Sequence, residues 1–330
     1  MITLGVIGCG HWGPNHIRNF NFLQNASVKS CADLDEDRLK QMKGLYPDIV
    51  TTTDYRDILN DEEINAVVVA TPTGTHYKIV KDVFEKGKDV LCEKPMTIDV
   101  EESKELVELS RNMNLILMVG NVFLFNAGIQ KLRELIREKE LGKIYYVHCT
   151  RTNLGPIRDD VNSVYDLASH DVYISNYLLD SRPVKVVAKG EDFLRPGVED
   201  LAFISMSYPE KTLVNIHVSW LDPVKVRRIT VVGDLKMAIW DDLDNVEPVK
   251  IFDKGIIKEP YYNDYGEFQL LTRDGDIYCP KIKLIEPLRS EAMHFIDCVE
   301  NRKNPICDGE NGLDVVKILN MIQESLKQNK

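Results

Sequence analysis

The chain has 330 residues, 44% of them hydrophobic and 28% charged, a globular composition that suggests roughly two domains with sizeable cores. Its 41 basic and 52 acidic side chains leave a net charge of −11, which argues against nucleic acid as the main partner, because phosphate binding draws on a basic surface. No run of 18 apolar residues is present to span a membrane, and the N-terminus enters an apolar strand with no signal-peptide pattern. The seven dispersed cysteines form no C-x-x-C and read as reduced thiols of a cytoplasmic protein.

Over the first 120 residues strand and helix patterns alternate. Ile2 to Ile7 is a short strand that meets Gly8-Cys-Gly10-His11-Trp12-Gly13, and Pro14 follows where a first helical turn favours it. Ile17, Phe20 and Leu23 recur at helical spacing. A strand over Val28–Ala32 ends at Asp33, and Asp35 is placed to cap the next helix. Asp54 opens a short helix, and Ala66–Ala70 reads as a strand buried on both faces. A helix over 75–86 stops at Gly87. The strand Asp89–Cys92 leads to Glu93-Lys94-Pro95, Asp99 and Glu102 start a helix in capping-box spacing, and Leu115–Val119 is a sixth strand. Repeated β-α units with short loops predict a doubly wound parallel sheet.

After Gly120 the pattern changes. A helix over about 127–140 precedes a long strand at 143–152 and a helix near 164–179. Strand patterns then follow in succession at 184–190, 200–207, 212–220, 226–233 and 235–240, which predicts an α+β domain with a large, mostly antiparallel open sheet. Residues 253–288 fit no clear pattern, and helices at 291–300 and from 312 to about 327 close the chain. The expected division is 1–120 and 121–330, with no flexible linker between the two parts, so that they pack around a cleft.

The glycine motif gains weight from its context. It follows a strand, opens a helix, and has Asp33 twenty residues after Gly13. Such glycines let a dinucleotide pyrophosphate approach the helix N-terminus. An Asp accepts hydrogen bonds from the ribose hydroxyls and repels a 2′-phosphate, so NAD is favoured over NADP. Thr71-Pro72-Thr-Gly-Thr-His76 and Glu93-Lys94 end strands that line the same crevice, where Lys94 could donate to a substrate hydroxyl and Glu93 hold its charge in place. Asp166 and His170 are four apart in a predicted helix, the spacing of an oriented acid–base pair, although about half such a pair is expected by accident in a chain with seven His. Arg151, Arg158 and Lys94 are candidate anion contacts, and no metal-ligand spacing stands out.

Taken together, GVIGCGHWGPNH, Asp33, ATPTGTH at 70–76, EKP at 93–95 and the Asp166/His170 pair resemble the Gfo/Idh/MocA family of NAD(P)-dependent sugar and polyol oxidoreductases. Glu286-Pro-Leu-Arg-Ser-Glu-x-x-His294-Phe and Asp308-Gly-Glu-x-Gly312-Leu extend the resemblance to the C-terminus. Within the family, Val122–Asn126, Thr152–Asn162 (with Asp160) and Tyr165–Asp171 look closest to the branch that oxidises C3 of UDP-N-acetylglucosamine or its uronic acid. Asn121 stands where that branch usually has His. The resemblance implies a Rossmann domain that holds NAD through Gly8, Gly10, His11, Trp12, Gly13, Asp33, Thr71, Pro72, His76, Glu93 and Lys94. It implies Lys94, His170 and Asp166 as catalytic residues, with either Lys94 or His170 taking the proton, and Asn126, Arg151, Asn153, Arg158 and Asn162 facing the sugar nucleotide. It also implies a homodimer or homotetramer assembled through the open sheet. The alternatives are a dehydrogenase or ketoreductase for another nucleotide sugar or a polyol, and a non-catalytic NAD-binding sensor on the same fold.

Overall fold

The computed structural model describes residues 1–158, 161–257 and 271–328. Asp160 lies outside them, as does the middle of the segment the sequence left unplaced. The chain forms two compact units: Met1–Phe125 with Ile285–Lys317, and Asn126–Leu284 with Ile318–Lys330.

The first unit contains a six-stranded parallel sheet of β1 (Ile2–Ile7), β2 (Ala26–Ala32), β3 (Val50–Thr52), β4 (Ala66–Val69), β5 (Asp89–Glu93) and β6 (Leu117–Gly120), in the order β3-β2-β1-β4-β5-β6. The chain order reverses between β1 and β4, and such switch points open a crevice at the carboxyl ends of the strands. Helices α1 (Gly13–Asn21), α2 (Glu36–Leu45), α3 (Tyr55–Asn60), α4 (His76–Glu85) and α5 (Val100–Asn112) connect the strands. Asp35, Asp54 and Asp99 cap α2, α3 and α5 by accepting backbone N–H groups, each contact contributing about 1 kcal/mol. All four residues of β4 are buried, as its unbroken apolar run requires.

The second unit begins with α6 (Ala127–Arg137) and β7 (Ile144–Leu154). The helix expected at 164–179 is two elements: a π-helical turn over Val164–Ala168, then α7 (Ser169–Leu179). The sheet continues with β8 (Lys185–Glu191), β9 (Leu201–Ser207), β10 (Leu213–Ser219), β11 (Leu221–Gly233), β12 (Met237–Asp241) and β13 (Val249–Phe252). Short pieces follow as β14 (Gly255–Ile257), β15 (Leu271–Arg273) and β16 (Ile277–Tyr278). Eight strands pair in the order β16-β13-β12-β11-β7-β10-β9-β8, all antiparallel except β7 with β10. The fold class is therefore the expected one, a doubly wound parallel sheet and an α+β unit with a large, mostly antiparallel sheet.

The last helices are α8 (Pro287–Asn301) and α9 (Gly309–Gln328). Residues 285–317 return to the first unit, whereas the sequence pattern groups everything after 120 together. α8 lies along α1, with the Phe20 and Phe295 rings 6.1 Å apart and Asn19 donating to Glu286 at 3.1 Å. At its far end Arg302 donates to Asp89 at 2.7 Å, and Val119 N–H donates to the Cys307 carbonyl at 2.8 Å, so the segment also covers the β6 edge. All seven cysteines are free thiols. Among the described residues no helix is long and apolar enough to cross a membrane.

Candidate active site

The glycine turn at the end of β1 is set by close backbone approach. Gly8 has φ +97°, and a Cβ there would meet the Ala70 carbonyl oxygen at 2.5 Å. A Cβ on Gly13 would meet the Gly8 carbonyl oxygen at 1.9 Å, which only a shift of the backbone could relieve. Gly10 is different: the nearest atom to its Cβ position is Arg38 Nη1 at 3.7 Å, so the turn presents bare backbone there. α1 starts directly behind, and Trp12 at its N-cap makes no side-chain cap to its first N–H groups. Asp33 closes the turn from β2, its Oδ2 accepting Cys9 N–H at 2.6 Å and its Oδ1 accepting Asp35 N–H at 2.9 Å. This cradle, with bare backbone, an uncapped helix start and a carboxylate at its rim, suits a dinucleotide. His11 is exposed beside the turn, its ring edge-on to Trp12 at 5.2 Å.

Two further loops of this unit stand at the same edge. After β4, Thr75 Oγ1 donates to the Pro72 carbonyl at 2.8 Å, tightening the turn that carries Thr71 and Pro72. His76 is buried with Nε2 2.8 Å from the Thr71 carbonyl and Nδ1 3.0 Å from the Pro95 carbonyl, so it braces the loops after β4 and β5 against each other. Burial lowers its affinity for a proton, with the two carbonyls acting in opposition. Glu93, at the end of β5, is buried; its Oε1 accepts His16 Nε2–H at 2.8 Å and its Oε2 accepts Lys94 N–H at 3.3 Å. Gly120, at the end of β6, gives Glu93 room, since a Cβ there would stand 3.4 Å from Glu93 Oε1. The glycine turn, Asp33, Thr71, Pro72, His76, Glu93 and Lys94 thus share one end of one sheet.

The candidate residues of the second unit serve several purposes. Asp166 lies in the π turn, a feature often found at functional sites. Its Oδ2 accepts Trp220 Nε1–H at 3.1 Å and its Oδ1 accepts Arg158 Nη1–H at 3.4 Å. His170 follows in the first turn of α7, so the α-helical spacing expected between Asp166 and His170 is interrupted by the wider turn. Arg151 is 3% exposed and forms a two-point contact with the equally buried Asp171, Nε to Oδ2 at 3.1 Å and Nη2 to Oδ1 at 2.9 Å. Asn126 caps α6 through Gly128 N–H at 2.8 Å and donates to Asp242 at 3.3 Å. Asn162 donates to Glu199 at 2.7 Å, and Asn153 donates to the Gly155 carbonyl.

Three residues the motif reading did not assign prove central to these arrangements: His16, Trp220 and Asp171. His16 was within reach of sequence reasoning, standing three residues after Gly13 on the same helical face. The other two pair with residues 54 and 20 positions away, and no local pattern marks them. Among the described residues no three His, Cys, Asp or Glu side chains converge as metal ligands.

Comparison with known proteins gives a consistent picture. A family model described as "Oxidoreductase family, NAD-binding Rossmann fold" matches residues 2–121, and one described as "GFO/IDH/MocA C-terminal domain" matches residues 129–239. The uncharacterised oxidoreductase YrbE of Bacillus subtilis is 24% identical, covering 98% of this chain and 94% of that protein. Myo-inositol 2-dehydrogenase of Thermotoga maritima is 23% identical, covering 100% and 97%. Among solved structures, UDP-N-acetylglucosamine 3-dehydrogenase GnnA from Acidithiobacillus ferrooxidans superposes with a TM-score of 0.85 at 22% identity, covering 99% of this chain and 98% of that one.

Proposed function

Because this chain belongs to the Gfo/Idh/MocA family of oxidoreductases and its N-terminal unit is an NAD-binding Rossmann domain, we propose that it is a dehydrogenase oxidising the C3 hydroxyl of a UDP-N-acetylated hexosamine or hexosaminuronic acid to the 3-keto sugar. NAD, when bound, supplies the hydride acceptor. The glycine turn and the start of α1 receive its pyrophosphate, and Asp33 takes the adenosine ribose hydroxyls. His11, Trp12, Thr71 and Pro72 border the same groove. Lys94 donates a hydrogen bond to the reacting hydroxyl, held by Glu93 behind it and by the His76 brace beside it. His170 exchanges the proton, and Asp166, gripped by Trp220 and Arg158, orients it or the substrate. Asn126, Arg151, Asn153, Arg158 and Asn162 form the sugar-nucleotide side, Arg151 and Asn126 acting through the Asp171 contact and the α6 cap.

The observation that carries the reading is the Glu93–Lys94 turn at the carboxyl edge, anchored by His16 to the helix that follows the glycine motif. A donor so placed lies where the crevice of such a sheet receives its ligand. The nucleotide-sugar assignment draws on the Thr152–Asn162 segment and on the likeness to GnnA. A second reading, an inositol or polyol dehydrogenase, is favoured by the inositol dehydrogenases among the sequence relatives. Incubation with NAD and a panel of UDP-N-acetylglucosamine, its uronic acid, myo-inositol and scyllo-inositol, with and without 2-oxoglutarate, separates the two. Nicotinamide absorbance and keto-sugar formation are followed. Turnover of inositol with inert UDP-sugars would replace the first reading by the second, and silence throughout would favour a sensor.

We also infer a homo-oligomer formed across the open face of the second unit. That face exposes Tyr146, Val187, Phe203 and Leu213, with Tyr146 and Leu213 in register on neighbouring strands. The free thiols suit a cytoplasmic location.

A further inference from the structure

In the second unit the chain crosses from one side of β7 to the other through a single residue. β10 pairs with one edge of β7 and β11 with the other, and only Trp220 separates them. The crossing carries Trp220 over the end of β7. There Gly155 N–H donates to its carbonyl at 3.0 Å, and its own N–H donates to the Asp200 carbonyl at 2.9 Å. The side chain is 1% exposed, so its indole N–H requires an acceptor inside the protein. That acceptor is Asp166 Oδ2, at 3.1 Å.

The acceptor is held from the same place as the donor. Asn162 opens the π turn: its side-chain oxygen accepts Tyr165 N–H at 3.1 Å, and its carbonyl accepts Asp166 N–H at 3.0 Å. Asn162 in turn donates to the Glu199 carboxylate at 2.7 Å, and Ser163 N–H donates to the Glu199 carbonyl at 3.0 Å. Glu199 and Asp200 are consecutive and both buried. One piece of backbone therefore fixes both the turn that carries the carboxylate and the residue that carries the indole. The hold on the other oxygen is looser, since Arg158 donates to Oδ1 at 3.4 Å from a long side chain that is 38% exposed.

We infer that Trp220 is a positioning residue for Asp166: its indole N–H takes Oδ2 and so fixes the plane of the carboxylate in which Oδ1 serves Arg158 and the reacting groups. An indole offers one donor and no acceptor, so it can hold an anion without entering the proton transfer. The terminal torsion of an Asp is broad, and a carboxylate held by the guanidinium alone would turn about it. Asp166 would then spend less time in the geometry that orients His170 or the substrate. The inference rests on the role given to Asp166 above, yet the contact itself can be judged without turnover.

Two measurements on the full chain test it. The chain has three tryptophans, Trp12, Trp220 and Trp240, so isotope labelling of the indole nitrogen gives three side-chain N–H resonances, and Trp220→Phe identifies the one at 220. A hydrogen bond to a carboxylate moves an indole proton downfield. Asp166→Asn is therefore expected to shift the Trp220 resonance upfield, and further than those of Trp12 and Trp240. A Trp220 resonance that stays in place overturns the inference. In the second measurement Trp220 is replaced by its benzothienyl analogue, which keeps the shape and puts sulfur where the indole has N–H. On the substrate that the sugar panel identifies, kcat is expected to fall about 10- to 100-fold with KM for NAD unchanged. In an Asp166→Asn background the same replacement is expected to cost less than about 3-fold more, because the acceptor is already altered. An unchanged kcat in the first case, or the full loss again in the second, reduces Trp220 to a space-filling ring and overturns the inference. Asp166→Asn leaves the ring in place, so the resonance decides the matter if the benzothienyl chain does not fold. It decides equally if the panel is inert: a shifted resonance without turnover removes the proposed substrate and keeps Trp220 as the anchor of Asp166.

Discussion

Asp33 closes the glycine turn on itself: its Oδ2 accepts the Cys9 N–H at 2.6 Å, joining the end of β2 to the middle residue of Gly8-Cys9-Gly10. The same carboxylate is the expected acceptor for the adenosine ribose, and Arg38 Nη1 stands 3.5 Å away. Loss of hydrogen bonds to a charged acceptor typically costs about 1.5–3 kcal/mol, so Asp33→Ala should weaken NAD binding roughly 10- to 100-fold. NADP should suffer less, because the variant also removes a repulsive carboxylate and leaves Arg38 available to a 2′-phosphate. Isothermal titration with both cofactors checks this, and equal losses would show that Asp33 supports the turn without reading the ribose.

Replacing Lys94 or His170 by Ala should reduce kcat by about 10²- to 10⁴-fold on whichever substrate the panel identifies, with NAD binding retained in the His170 variant. Near-normal turnover in both variants would take these side chains out of the mechanism.

The Arg151–Asp171 contact is almost wholly buried. Removing one partner leaves the other charge uncompensated in the interior, so Asp171→Ala should destabilise the protein by about 3–5 kcal/mol, measured by denaturant unfolding. Arg151→Met with Asp171→Leu should recover much of that loss, since paired apolar replacement avoids the stranded charge. A single variant as stable as wild type would mean that solvent reaches the pair.

Glu291 gives stability a pH dependence of definite sign. Its folded-state proton affinity is raised, so above the ordinary carboxylate range the unfolded chain has released a proton that the folded chain retains. Stability therefore falls with rising pH, by up to about 1.4 kcal/mol per unit for this group. The stability of Glu291→Gln relative to wild type should grow as the pH rises above the ordinary carboxylate range. A difference that stays constant with pH would indicate a charged Glu291.

Much of the first unit could be read locally. Asp35, Asp54 and Asp99 mark helix starts because a cap acts over only two or three residues, and the run Ala66–Val69 marks a buried strand by composition alone. The glycine motif and Glu93-Lys94-Pro95 are likewise contiguous. The π turn at Val164–Ala168 escaped because apolar periodicity does not distinguish an inserted residue within a helix from a regular turn. The Arg151–Asp171 contact was not legible because an Arg on a strand carries no sign of its partner, and Asp171 stands twenty residues on. Strands as short as β14 and β16 are set by their partners across the sheet, not by their own residues.

The return of Ile285–Lys317 to the first unit bears on the order in which the molecule is made. A nascent chain that has just completed β6 still lacks the helix that covers Phe20 and holds Arg302 against Asp89. Those partners leave the ribosome only after the whole second sheet has been synthesised. A fragment ending at Phe125 would therefore carry an uncovered apolar flank along α1, inviting aggregation or capture by chaperones, and would not by itself be a self-sufficient cofactor module.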